Sequence, residues 1–189
     1  MNNGDLLRPQ HDWQQALDAA TTEGDERPTW AYNWPAGDRF ARDLLTLVEV
    51  VGKRVCDLGC GQGQLGFTAL RAGAQVCFAD GSAHPLGFIR AMLEANQLTA
   101  DCIHHQWGDP IPGAPYDLIL GGDILYRREC FEALVCSIAS SLAPGGQALL
   151  SDPRSTLEAE LPSLASAQNL RYASQRYDGY TLVCLERSR

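Results

Sequence analysis

Residues 55–66 read VCDLGCGQGQLG, a short apolar run followed by four glycines within the eight positions 59–66. The apolar run over 54–58 predicts a buried strand, and residues 65–72, closed by Gly73, predict a helix. A strand, a glycine-rich turn and a helix in immediate succession form the opening unit of a doubly wound α/β domain. Two patterns overlap in the turn: Gly61-x-Gly63-x-x-Gly66 and Asp57-x-Gly59-x-Gly61-x-Gly63. In either, the missing side chains let the backbone approach a ligand at the carboxyl end of a strand, ahead of a helix N-terminus.

The rhythm continues downstream. Strands are predicted over 75–79, 102–105, 117–120 and 147–151. Helices are predicted over 85–95, closed by Asn96, and over 128–142. The latter carries Phe131, Leu134, Val135, Ile138 and Leu142 on one stripe and is stopped by Pro144-Gly145-Gly146. Short apolar strands alternating with helices imply a parallel sheet covered on both faces. The end of the chain departs from this. A weak helix over 157–167, interrupted by Pro162, precedes two alternating runs that flank Asp178-Gly179, the signature of a β-hairpin with a type I′ turn. The expected fold is therefore Rossmann-like α/β: a doubly wound, mostly parallel seven-stranded sheet ending in an antiparallel hairpin.

Upstream, residues 12–20 predict a short helix with Trp13 and Leu17 on one face, followed by a polar loop over 21–29. A second helix begins near Pro35, carries Phe40, Leu44, Leu47, Val48 and Val51 at helical spacing, and ends at Gly52. With no repeat and no linker, residues 1–189 read as a single domain, an N-terminal helical segment (1–51) on a Rossmann-like core (52–189).

Composition bounds the function. At 45% apolar and 20% charged residues, wholesale disorder is excluded. A formal net charge of −8 with scattered cations argues against a nucleic-acid surface. Seven cysteines, an odd number with no C-x-x-C, read as free thiols in a reducing compartment. No window reaches the ~18 apolar residues of a membrane span, and the first residues lack a leader pattern. A soluble, cytoplasmic protein is expected. His104 and His105 point to opposite faces of a strand, and His11 and His84 are isolated, so no metal site is expected. Oligomeric state is not legible.

The two glycine patterns imply different ligands. A dinucleotide presents an anionic pyrophosphate, beside which a carboxylate is repulsive. S-adenosyl-L-methionine presents an ammonium and a sulfonium, and Asp57 at the first strand end then becomes favourable. Asp80 ends the second strand, where a carboxylate serves ribose hydroxyls in either cofactor, or caps the following helix, so it does not discriminate. A dehydrogenase also needs a second half-sheet or substrate domain, and only residues 152–189 follow the fifth strand. The methyl donor is the better reading, with Gly66 easing helix packing on the strand.

Further stretches resemble class I, seven-β-strand S-adenosylmethionine-dependent methyltransferases of the lysine-methyltransferase-like family, nearest the electron-transfer-flavoprotein β-subunit lysine methyltransferase branch. They are Trp30-Ala31-Tyr32-Asn33-Trp34-Pro35-Ala36-Gly37 (W-x-x-x-W-P-x-G), FADGSAHPLGFIRAMLEAN, Gly122-Asp123-Ile124-Leu125-Tyr126 (G-D-x-x-Y) and Ser151-Asp152-Pro153-Arg154 (against G-D-P-G-R). Together they cover residues 30–154 in the family's order. Two departures, the glycine absent before Arg154 and Arg127 in place of an acid, fall where substrate would meet the enzyme.

The residue roles follow. Asp57 is expected to fix the donor's ammonium, with Gly59, Cys60, Gly61 and Gly63 making room for the methionine moiety. Asp80, with Gly81, is expected to hold ribose. Trp107-Gly108 is expected to flank adenine, with Asp109 accepting from its exocyclic amine, or else to form a plain surface loop. The resemblance implies that Trp34 packs on the methionine end; its alternative is to anchor the N-terminal helix. Asp123 and Tyr126 are the expected catalytic pair, aligning an amine with the methyl group mainly by positioning and water exclusion. The alternative for Asp123 is a structural bond to backbone. The expected function is N-methyl transfer to a protein lysine. Transfer to a small amine, or a non-catalytic donor-binding module, is the alternative.

Overall fold

The sheet order in the computed structural model is β3-β2-β1-β4-β5-β7-β6. The structure describes Asp18, residues 28–153 and residues 159–189; apart from Asp18, the helix expected over 12–20 lies outside them, as does Arg154. The strands are β1 Arg54–Leu58, β2 Gln75–Asp80, β3 Asp101–His104, β4 Tyr116–Gly122, β5 Leu142–Asp152, β6 Leu170–Tyr177 and β7 Tyr180–Arg187. The helices are α1 Pro35–Leu47, α2 Gln64–Arg71, α3 Ala83–Ala95, α4 Phe131–Ser141 and α5 Leu161–Ala167. The first five strands pair in parallel, and β7 is antiparallel to both β5 and β6. The expected fold, with its closing hairpin, is the observed one.

Alternation along each strand divides the core between two faces. Val55, Val76, Phe78, Leu118 and Leu120 pack under α1, α2 and α3. Cys56, Cys77, Ala79 and Ile119 face the other way, under α4 and α5. Covering both faces is why the central strands read as continuous apolar runs. The seven cysteines are free. No helix among the described residues is long and apolar enough to cross a membrane.

Several local expectations are corrected. Helix α1 stops at Leu47, and Val51 is exposed, because Val48 is already extended. The 128–142 helix is a 3₁₀ turn, Arg128–Cys130, followed by α4. Pro144-Gly145-Gly146 falls inside β5 as a register irregularity opposite Tyr116 and Leu118, where pairing to β4 outweighs loop propensity. Pro162 opens α5 at its first turn instead of interrupting a helix. The hairpin turn has positive φ at Gly179 but not at Asp178, so it is not type I′. Arg39 of α1 lies against this turn, its guanidinium donating to both the carbonyl (3.0 Å) and the carboxylate (2.8 Å) of Asp178. Tyr180, fully buried, adds a second tie from the hairpin to α1 by donating to Asp43 at 2.9 Å.

Two helical glycines separate packing from propensity. A Cβ on Gly66 would lie 2.2 Å from the Phe78 ring and 2.9 Å from the Asp57 carboxylate, whereas one on Gly87 meets nothing within 4 Å. Gly66→Ala is expected to lower stability by about 1–3 kcal/mol through overpacking, and Gly87→Ala to raise it by up to about 1 kcal/mol through helix propensity. Denaturant unfolding of both variants checks the contrast.

Candidate active site

The sheet order reverses between β1 and β4, and the crevice outside the carboxyl ends of those strands is where open α/β sheets bind ligands. A cavity of about 790 Å³ opens there. The loop after β1 lines its floor and is shaped by three hydrogen bonds. The Gly59 and Cys60 amides donate to the Ala79 carbonyl (2.8 and 3.1 Å), and the Gly63 amide donates to the Cys60 carbonyl (2.6 Å). Gly59, Gly61 and Gly63 all have positive φ. A Cβ on Gly63 would also sit 2.5 Å from Ile89, so this corner has no room for a side chain.

Two carboxylates hold the loop and face the cavity. Asp57 is buried, and one of its oxygens accepts the Gly66 amide at 2.8 Å, in the first turn of α2. Burial pushes its carboxyl up to about 8; the Gly66 bond works against this and the Asp80 charge adds to it. Asp80 accepts the Gly61 amide at 3.0 Å and the Ser82 amide at 2.9 Å. Burial raises its pKa also, with those two bonds opposing. The cap of α3 is Ser82, whose hydroxyl accepts from the His84 amide, so Asp80 is not the capping residue.

The segment 29–37 forms the opposite wall. Its 3₁₀ turn, Thr29–Ala31, lays the Trp30 backbone over Gly61, and the Gln62 side-chain amide donates to the Ala31 carbonyl at 2.8 Å. Trp30 is buried and stacked on His84. Trp34 lines the cavity half-exposed, its indole donating to the Thr29 carbonyl at 2.9 Å. The segment is fastened at its far end. Asp123 lies just past β4 with φ +56, and its carboxylate accepts the Gly37 amide at 2.5 Å. A Cβ on Gly122 would approach the Gly37 Cα at 3.2 Å, so two glycines permit this backbone contact. Asp123 is buried and lines the cavity together with the exposed Tyr126. Arg127 also lines it and is paired with Glu129 at 3.0 Å.

The expected site residues Trp34, Asp57, Gly59, Cys60, Gly61, Gly63, Asp80, Gly81, Trp107, Asp123 and Tyr126 all line this one cavity. Gly108 does not: its amide donates to the Ser137 hydroxyl on α4 at 2.8 Å. Asp109 is exposed and also lies outside the lining, its carbonyl accepting from Ser137 at 2.8 Å. The turn after β3 is pulled toward α4, which carries both residues away from the cavity. His105 and Ile124 line the cavity without having been singled out as ligand contacts. Ser137 is one of two buried serines of α4, with Ser141, and its spacing within an apolar stripe is the signal that could have marked it. No group of three metal-ligating side chains occurs among the described residues.

A glycine floor in which Cβ atoms on Gly59 and Gly63 would clash, the buried carboxyl of Asp57 beside the part-buried Asp80 on the adjacent strand end, and space for a nucleoside-sized ligand fit S-adenosyl-L-methionine. Fold and cavity together define a class I methyltransferase. A family model described as "Methyltransferase domain" matches residues 34–188, and the chain belongs to that family. It is 34% identical over 143 residues to the protein N-lysine methyltransferase METTL21A of Danio rerio, covering 68% of this chain and 65% of that protein. It is 34% identical over 132 residues to the electron transfer flavoprotein beta subunit lysine methyltransferase of Danio rerio, covering 67% of this chain and 50% of that protein. The chain thus spans about half to two thirds of these relatives' length. The solved T. thermophilus 16S rRNA N2 G1207 methyltransferase, in complex with AdoMet and guanosine, superposes with a TM-score of 0.66 at 24% identity, covering 82% of this chain and 44% of that one.

Asp57 carries a pH signature. Its folded value lies above the ordinary carboxylate range, so the stability of the neutral buried carboxyl is complete below that range and lost as pH rises through about 8. Asp57→Asn removes this titration. Without donor, the Tm of the variant relative to wild type should climb between about pH 5 and about pH 8. Thermal scans across pH check this, and a flat difference contradicts it.

Proposed function

We propose that the protein is an S-adenosyl-L-methionine-dependent N-methyltransferase whose acceptor is the side-chain amine of a protein lysine. The observation that carries the reading is that Asp123 and Tyr126, at the end of β4, share one cavity with Asp57 and the glycine loop. The similarity to the two lysine methyltransferases supports the acceptor class.

The donor, when bound, supplies an electrophilic methyl group on a sulfonium. Asp57 faces its ammonium, a cation that draws the buried carboxyl back to its ionised form. Asp80 offers its remaining lone pairs to ribose hydroxyls while its amide bonds keep the loop folded. Trp107 flanks adenine, and Trp34 covers the methionine end. On the acceptor side, the Asp123 carboxylate retains acceptor capacity beyond the Gly37 amide. With the Tyr126 phenol it orients the amine nitrogen toward the methyl group. The amine must be deprotonated to attack, so the contribution of this pair is alignment and exclusion of water. Asp123 thereby has two duties, holding the wall of the donor site and receiving the acceptor.

Incubation with host lysate and methyl-labelled donor should label a protein band that yields methyllysine on hydrolysis. Label confined to small molecules points to a small-amine acceptor, and no label with intact donor binding points to a binding module. Asp123→Asn, which can still accept from Gly37, should slow transfer by about 100-fold with donor affinity within about threefold. Full activity in that variant removes Asp123 from the acceptor site. A comparable loss of donor binding leaves it only the structural tie.

A further inference from the structure

His105 follows β3, and its amide donates to the backbone carbonyl of Asp80 at 2.9 Å, which seats it next to the residue assigned to ribose. Its side chain is buried and lines the cavity. One ring nitrogen, Nε2, lies 3.4 Å from the Ser137 hydroxyl oxygen.

The bonds around Ser137 decide which nitrogen carries the proton. A serine hydroxyl has one hydrogen and two lone pairs. The Asp109 carbonyl can only accept, so the 2.8 Å contact consumes that hydrogen. The Gly108 amide can only donate, so its 2.8 Å contact takes one lone pair. What remains for His105 is the second lone pair, so Nε2 must be the donor. In the neutral ring, Nδ1 is then a bare acceptor. Burial lowers the His105 pKa and the His104 charge adds to this, against the Asp109 carboxylate, which favours the neutral ring. Among the described residues Nδ1 makes no hydrogen bond within the protein, and since the His105 side chain lines the cavity, Nδ1 is the acceptor the ring has left to offer a ligand there.

We propose that His105 selects the base of the donor, its Nδ1 accepting a hydrogen from the exocyclic amine of adenine, with Ser137 holding the ring in the required tautomer. This rests on the reading of the cavity as an S-adenosyl-L-methionine site. It assigns to His105 the role that Asp109 vacates. Cavity residues then follow the sheet order: Asp123 after β4, Asp57 on β1, Asp80 on β2, His105 after β3. Acceptor, ammonium, ribose and base are read by one residue per strand end. A 6-oxo base in place of adenine would set a carbonyl lone pair against Nδ1.

The test is calorimetric titration with S-adenosylhomocysteine and with its inosine counterpart. Wild type should prefer the adenine compound by about 30-fold, and His105→Ala should reduce the preference below about threefold. Ser137→Ala, which keeps the imidazole but frees its tautomer, should give an intermediate value. Nitrogen-15 shifts of the His105 ring in the free wild-type protein should report a protonated Nε2 and a bare Nδ1, a readout independent of both variants. Undiminished discrimination in His105→Ala, or a protonated Nδ1 in the wild-type protein, overturns the proposal with the donor site intact. Binding of neither compound by wild type removes the donor reading and this proposal with it.

Discussion

A hydrogen bond across 86 residues of sequence, from the Gly37 amide to the Asp123 carboxylate, turns the end of a parallel sheet into an enclosed site. It joins the first turn of α1 to the strand end where the acceptor would meet the methyl group. It is short, buried and made by an aspartate in the left-handed region, a conformation that costs free energy unless the surroundings impose it. A negative charge at a helix N-terminus is favourable, and the facing glycines at 37 and 122 leave room for the backbones to meet. With the contact in place, segment 29–37 lies over the glycine loop, and two walls enclose one volume.

The chemistry of the site follows from what burial does to carboxylates. Asp57 and Asp80 lie on neighbouring strand ends, and the Asp80 charge adds to the cost of ionising Asp57, yet both are kept in place by backbone amides, of Gly66 in α2 and of Gly61 in the loop. In the absence of a cation Asp57 meets this cost by holding its proton. A ligand that brings an ammonium relieves the cost, whereas a pyrophosphate would deepen it. The second glycine pattern therefore outweighs the first, and Gly66 is required by the Phe78 ring and not by a phosphate.

Local signals in the sequence carried the strand–helix alternation, the closing hairpin and the glycine loop, because each rests on periodicity or on glycine conformation within a few residues. The details that escaped it are non-local. Arg39 reaches the Asp178-Gly179 turn from α1. Ser137 on α4 draws Gly108 and Asp109 away from the cavity and leaves His105 at its edge. Neither partner is visible from the segment it contacts. Asp123 and Tyr126 were legible as a motif, but a five-residue pattern could not reveal that the aspartate also fastens the W-P-x-G segment, which had read as a separate motif.

The central claim is that S-adenosyl-L-methionine binds between segment 29–37 and the loop after β1. Amide hydrogen exchange with and without the donor tests it most directly. The account predicts joint protection of residues 29–37, 59–63, 80–82 and 105–107, with the β6–β7 turn unchanged. Saturation with donor and no protection at the glycine loop, or protection centred elsewhere on the sheet, would contradict it.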